Sequence, residues 1–327
     1  MKKKLILLST AFLFFTLISC DYIQEYHDKF ISLDTYIDIS FKCANNGKEH
    51  MKNLKNIYNE INLASDNYES RDGKSIYDLN ANRELELTDT LKALINYSFE
   101  AKENTNGYYN PLIGRLSMKW KEAIERNTYL EPNIIDSELQ IMNNSEVIIE
   151  DNKAKIIGEA DLDLGGIAKG YATELVHQYL KDNNITEYLI NSGESNILVG
   201  ERNKLYKIGL SKPFFDENST DKEKYYGILN IANKSIATSS PRYKKTEING
   251  KLYHHIISPF TGMPINNFES VNVICDNSMD ADVYSTAIFV MDIETAKKFA
   301  DDKNLGIILC NNGEIIYQKL GETIEKI

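Results

Sequence analysis

Polar and apolar positions alternate through Phe30 to Cys43, FISLDTYIDISFKC, and this period of two predicts a strand. The period then lengthens. Met51, Leu54, Ile57, Tyr58 and Ile61 recur at helical spacing within residues 48–65. Residues 86–105 read as a second helix, with Thr88 as its N-cap and with Gly107 and Pro111 breaking it. Residues 132–146 predict a short helix plus loops, and EVIIE and AKIIG two strands. After the stretch DLGGIAKG (Asp163 to Gly170), Ile167, Tyr171, Leu175 and Tyr179 recur every fourth residue, which predicts a helix with that face buried. EYLINSG (187–193) reads as a strand, so the unit is strand, glycine turn, helix, strand. Further strands are expected near 225–237, 252–257 and 270–275, then a helix through DADVYSTAIFVM and a shorter helix. The strand pair GIILC and EIIYQ is joined at Asn311-Asn312-Gly313. No internal repeat, low-complexity segment or Pro/Gly-rich linker interrupts 30–327, which is read as one α+β unit.

The N-terminus changes the picture. Lys2, Lys3 and Lys4 precede a mostly apolar run, Leu5 to Ile18, that is short for a membrane span and ends in Ser19-Cys20. This pattern resembles a bacterial lipoprotein signal, with cleavage before Cys20 and lipidation of that cysteine; an uncleaved anchor is the alternative. The expected organisation is a signal peptide over 1–19, a lipidated polar tether over 20–29 and a folded domain over 30–327, on the periplasmic side of a bacterial membrane. Hydrophobic residues make up 42% of the 327, enough for a full core, and the net charge of −11 argues against nucleic acid as a partner. Cys43, Cys275 and Cys310 have no metal-ligand spacing, and a disulfide among them is left open.

Four segments can carry chemistry, each with a plainer alternative. Gly165-Gly166 before a helix suits a phosphate, or only tight packing of helix on sheet. Asp282, Ser285 and Thr286 lie at i, i+3 and i+4, so one helix face carries hard oxygen ligands suited to Mg²⁺. Alternatively Asp280 or Asp282 caps the first turn and the hydroxyls pack. His254 and His255 stand next to each other before the turn SPFTG, and in a strand only one of them can face a given cleft. Tyr108 and Tyr109 precede a Pro turn and either stack on a planar ring or belong to the core.

Taken in order, DLDLGGIAKGYATE, INSG, IATSSPRYKK, HHIISPFTGMPI and ADVYSTAIFV resemble the ApbE family, the FAD:protein FMN transferases, over about residues 31–300. The resemblance implies an ApbE-like single domain with mixed β-sheets flanked by helices. It implies a Mg²⁺-dependent enzyme that moves FMN from FAD to a Thr or Ser hydroxyl of an exported flavoprotein carrying a D-x-x-[ST]-x-T-like motif, releasing AMP. A Mg²⁺-dependent FAD pyrophosphatase and a non-catalytic flavin-binding lipoprotein are the rival readings. Carried over by position, the metal ligands are the Ala168 carbonyl, Asp282 and Thr286, with Ser285 close by. The flavin nucleotide is expected near Leu33, Tyr68, Tyr108, Tyr109, Asn110, Gly165, Tyr171, His255 and Ile257. His255 is the expected general base, with Asp282 second. Lys169 either meets phosphate or points to solvent. The sequence departs from the family pattern at Asp34, Ser75, Glu194, Ser240 and Ser258, none of them a proposed metal ligand.

Overall fold

The strand expected over residues 30–43 is a hairpin. In the computed structural model, which describes residues 23–215, 218–242 and 245–325, β1 (Gln24–Ser32) pairs antiparallel with β2 (Thr35–Cys43). The turn is Leu33-Asp34, both with positive φ (52° and 57°), the backbone of a two-residue hairpin loop normally filled by Asn and Gly. The alternating pattern runs straight through this turn, which hid it. The supposed tether is corrected too, because Gln24 to Lys29 belong to β1. Cys20 lies outside the described residues.

The chain continues through α1 (Gly47–Ser65), α2 (Ile76–Asn82), β3 (Glu84–Glu86), α3 (Asp89–Asn104), α4 (Gly114–Glu125) and α5 (Pro132–Asn143). Thr88 caps α3 by accepting the Leu91 N–H, as its sequence signalled. Next come β4 (Glu146–Glu150), β5 (Lys153–Ile157), α6 (Ala168–Asp182), β6 (Tyr188–Ser192), β7 (Asn196–Val199), β8 (Tyr206–Ser211) and α7 (Asp221–Lys224). The C-terminal part holds β9 (Tyr225–Ile231), β10 (Lys234–Ser239), β11 (Lys245–Ile248), β12 (Lys251–His254), β13 (Ser270–Cys275), α8 (Ser278–Val290), α9 (Ile293–Asp302), β14 (Gly306–Asn311), β15 (Glu314–Lys319) and β16 (Thr323–Glu325).

One eight-stranded sheet, in the order β1-β2-β6-β7-β10-β13-β14-β15, carries the architecture, with small sheets β3-β5-β4, β16-β9-β8 and β11-β12 around it. Every pairing within the large sheet is antiparallel. The glycine turn before α6 therefore leads from a small sheet into the large one, rather than closing a parallel crossover within one sheet. Helices flank the sheets, and the α+β architecture agrees with expectation.

α8 lies in the core, with Ala281, Val283, Ala287, Ile288 and Phe289 fully covered, and packs against β10, β13 and α6. α6 in turn packs against α1, α8, β6 and β7. The buried residues are Ala168, Ala172, Val176 and Leu180, together with Gly170 and Thr173. Of the predicted face, Ile167 is fully buried just before the helix, but Tyr171 and Tyr179 are half-buried and Leu175 is 38% exposed, so within the helix the buried stripe lies one residue on. Two stripes with a four-residue repeat run side by side along α6, while α8 is met by Gly170, against Asp282 and the Ser278 carbonyl, and by Glu174, which accepts the Ser278 N–H.

Cys43, Cys275 and Cys310 are all free thiols. Among the described residues no helix is long and apolar enough to cross a membrane.

Candidate active site

A cleft of about 910 Å³ opens beside the start of α6, floored by residues of β7, β10 and β13 and rimmed by the Leu33-Asp34 turn, Tyr68 and His255. Its geometry begins with α8. Asn277 caps this helix by accepting the Met279 and Asp280 N–H groups, so neither Asp280 nor Asp282 is spent on capping. Asp280 instead accepts the Tyr97 hydroxyl at 3.0 Å. Asp282 turns toward α6, where the Gly170 N–H donates to its Oδ2 at 2.7 Å. A Cβ at position 170 would lie 2.5 Å from both Asp282 Cβ and Ser278 O, so only glycine permits this approach. The sequence held Gly170 in plain view, but its partner is 112 residues away.

Asp282 is only 5% exposed, and burial pushes its carboxyl up from the usual carboxylate range, against opposing effects from Lys169 and the Gly170 N–H. One turn along, Thr286 also lines the cleft, its Oγ1 3.4 Å from Ser239 Oγ. Ser285 does not line it. Its hydroxyl donates to Asp282 O at 2.9 Å and meets Ser239 Oγ at 2.9 Å, stitching α8 to β10 behind the site. Ala168 and Lys169 line the cleft at the first turn of α6, which places Lys169 in the cleft rather than out in solvent.

Gly165 and Gly166 do not take left-handed backbone, so they do not serve as a φ-inverting turn. The Gly165 N–H donates to Asp163 Oδ1 at 2.8 Å. A Cβ on Gly166 would stand 3.1 Å from Tyr109 Cε2, so this glycine makes room for the aromatic ring.

Tyr68, Tyr108, Tyr109 and Asn110 all line the cleft. Lys121 sits over the Tyr68 ring at 3.9 Å, and Tyr108 meets Phe260 edge-on at 4.9 Å. Asn110 caps the short turn that follows, accepting the Leu112 N–H. Asn80 ties two lining segments together, bonding Asn67 next to Tyr68 and both backbone groups of Leu162 next to Asp163. Leu33 is held in its strained turn by its N–H donating to Asn62 Oδ1 at 2.9 Å. Tyr171 is not brought to the others; its ring lies 6.1 Å from that of Tyr97, away from the lining.

The two histidines divide as alternation requires. His254 is fully buried, with Nε2 at 3.0 Å from Ile265 O and Nδ1 accepting the Ile256 N–H, and burial pulls its pKa down to about 4. His255 is exposed and lines the cleft, as does Ile257, whose backbone bridges to Pro264. Beneath them Trp120 is fully buried, stacks on Tyr253 at 5.5 Å and donates its Nε1–H to Gly262 O at 2.7 Å, fixing the turn. Ser258 accepts the Phe260 and Thr261 N–H groups, the turn-forming work an Asp would do there. Glu194, the charge added beside the site, is paired with Arg242 at 3.3 Å.

The fold and the cleft define a class: an α+β protein that gathers a buried carboxylate, a hydroxyl, a lysine and a helix start below aromatic walls. A model of the ApbE family matches residues 33–309, and the chain belongs to that family. The FAD:protein FMN transferase of Klebsiella pneumoniae (strain 342) is 32% identical over 190 residues, and the match spans 57% of each chain. That of Haemophilus influenzae is 24% identical over 310 residues, 89% of this chain and 88% of the relative. Among solved structures, the ApbE protein of Thermotoga maritima matches with a TM-score of 0.77 at 22% identity, covering 93% of this chain and 97% of that one. The flavin transferase ApbE from Vibrio cholerae matches at 0.72 and 20% identity, covering 93% and 98%.

Proposed function

We propose that this protein is a Mg²⁺-dependent FAD:protein FMN transferase, acting on a Thr or Ser hydroxyl of an exported flavoprotein and releasing AMP. The observation that carries the reading is the meeting of Asp282, Thr286, Ala168 and Lys169 at one end of a cleft walled by Tyr68 and Tyr108. Family membership and relatives named FAD:protein FMN transferase support it.

The donors suit a hard divalent cation: a buried carboxylate, a hydroxyl and the carbonyl at the first residue of α6. A buried carboxylate with one backbone N–H and a lysine acting through space has charge left to share. When bound at Ala168, Asp282 and Thr286, Mg²⁺ supplies neutralisation of phosphate charge. Lys169 faces the same anion, and Tyr68 and Tyr108 flank the flat rings of the dinucleotide. The acceptor hydroxyl oxygen bonds to the phosphorus on the FMN side, the bridging P–O bond breaks, and AMP leaves. His255 takes the hydroxyl proton. A flavin-binding protein without turnover has no need of the Asp282–Thr286 pair. The N-terminal pattern supports a lipid anchor at Cys20 on the periplasmic side.

The test is product analysis. With FAD, Mg²⁺ and a peptide carrying the acceptor motif, mass spectrometry is expected to find FMN on the peptide and free AMP. FMN plus AMP with no adduct assigns the same site to hydrolysis. Bound FAD with no product overturns both enzymatic readings.

A further inference from the structure

We propose that Lys245, with Arg242 beside it, docks an acidic side chain on the segment of the acceptor protein that carries the reacting hydroxyl. This rests on the transferase reading above, to which it adds the place where the acceptor is held. Both cations line the cleft, Lys245 at the start of β11 and Arg242 in the connection from β10. The Lys245 ammonium lies over the Phe214 ring at 3.8 Å, and the Arg242 guanidinium over the Phe215 ring at 4.3 Å. Ring faces hold cations in place without cancelling their charge.

The two cations differ in what balances them. Arg242 reaches Glu194 at 3.3 Å. Lys245 meets no carboxylate among the described residues; burial draws the pKa of its ammonium down, and the one charge acting on it, Arg242, adds to that. A half-buried ammonium beside a second cation raises the energy of the free protein, and an incoming carboxylate relieves it. The chain as a whole carries a net charge of −11 and repels acidic partners, so one is drawn in only where such a point stands.

Position selects the occupant. The phosphates of FAD are assigned to the neighbourhood of Asp282 and Lys169, and Asp282 is acted on by Lys169 but by neither Arg242 nor Lys245. The two groups of cations are thus electrostatically separate, and FAD brings no second anionic group for Lys245. β11 pairs with β12 so that Lys245 stands opposite His254, and His255 follows. Pairing and chain spacing put the Cα of Lys245 within about 9 Å of that of His255, the residue proposed to take the hydroxyl proton. A carboxylate held on Lys245 therefore brings the residues near it in the acceptor chain within reach of His255.

The probes are two fluorescein-labelled peptides, one with a threonine in an acidic segment and its twin with Gln and Asn in place of Glu and Asp. Fluorescence anisotropy at low salt reads their Kd, and flavin fluorescence reads that of FAD. Wild type is expected to bind the acidic peptide about 10-fold more tightly than its twin. Lys245→Met keeps most of the stem and removes the charge; it should weaken the acidic peptide about 10-fold and leave the twin and FAD within about 2-fold. Lys245→Arg should restore most of the loss. Lys298→Met removes the same charge from an exposed site on α9, outside the cleft, and should change nothing. Wild type without preference for the acidic peptide overturns the assignment, as does an affinity that Lys245→Met leaves alone or that Lys298→Met lowers as much. FAD weakened as much as the peptide overturns it too, since the cations then serve the nucleotide. Wild type that prefers the acidic peptide as expected but forms no FMN adduct on it keeps the docking point and overturns the transferase reading. Adduct formed equally on both peptides by wild type and Lys245→Met does the reverse.

Discussion

Gly170 is the glycine of GGIAKG that the fold cannot replace. Alanine is the better helix former by about 1 kcal/mol, but here its methyl would overlap Asp282 Cβ and the Ser278 carbonyl, both at 2.5 Å. Overpacking wins, and Gly170→Ala is expected to destabilise by about 1–3 kcal/mol and to push Asp282 off its N–H donor. Gly165→Ala is the control, because its Cβ meets only Asp163 Oδ1 at 3.0 Å, and it should stay within about 0.5 kcal/mol of wild type. Urea midpoints at unchanged m-value separate the two; equal stability of both variants would show that α6 can move away from α8. The motif was legible in the sequence, and so were Asp282 and Thr286 on one helix face. The reason for Gly170 was not, because it lies across a tertiary contact. Ser285 shows the complementary error: i, i+3 spacing puts it beside Asp282, but one residue of rotation turns it into the seam with Ser239.

Elements with complete local signals were readable: α3 from Thr88, and the β14–β15 hairpin from Asn312 and Gly313, both at positive φ. Where two patterns competed, packing decided. α6 offers one stripe through Tyr171 and Leu175 and another through Ala172 and Val176, and the second is the buried one, while Gly170 and Glu174 meet α8. At Leu33-Asp34 neither residue announces a turn. The segment after β12 has a pH dependence that follows from its anchor. His254 donates from Nε2 to Ile265 O and accepts the Ile256 N–H at Nδ1, so only the neutral imidazole satisfies both contacts. Its pKa falls from an ordinary 6.5 to about 4 on folding. The unfolded chain thus binds the proton first, and this contribution is complete above pH 6.5 and lost as pH falls toward 4. It amounts to about 3 kcal/mol at most. Denaturant unfolding between pH 7 and 4 should show that loss in wild type and a flatter profile in His254→Gln; parallel profiles would remove His254 as the cause.

At the scale of the molecule, the three described thiols are kept from oxidising. Cys310 is buried and Cys275 half-buried, burial pushes both thiols up to about 12, and Cys43 is raised in the same direction. A thiol that holds its proton is a poor partner for exchange. The Tm should therefore be the same, within about 1 °C, with and without reductant, and a thiol count on membrane-isolated, denatured protein should give three per chain. A fourth reactive thiol would mean that Cys20 is unmodified. The β1–β2 hairpin sets a distance. With a lipid on Cys20, only residues 21–23 separate the membrane from Gln24, a leash of at most about 14 Å. From Gln24 the nine residues of β1 run about 30 Å as a stiff rod to the turn at Leu33, on the rim of the cleft. If Cys20 carries the proposed lipid and the cleft performs the proposed transfer, only hydroxyls presented within about 45 Å of the bilayer surface come within reach, as a lamp on a short post lights only what stands near it.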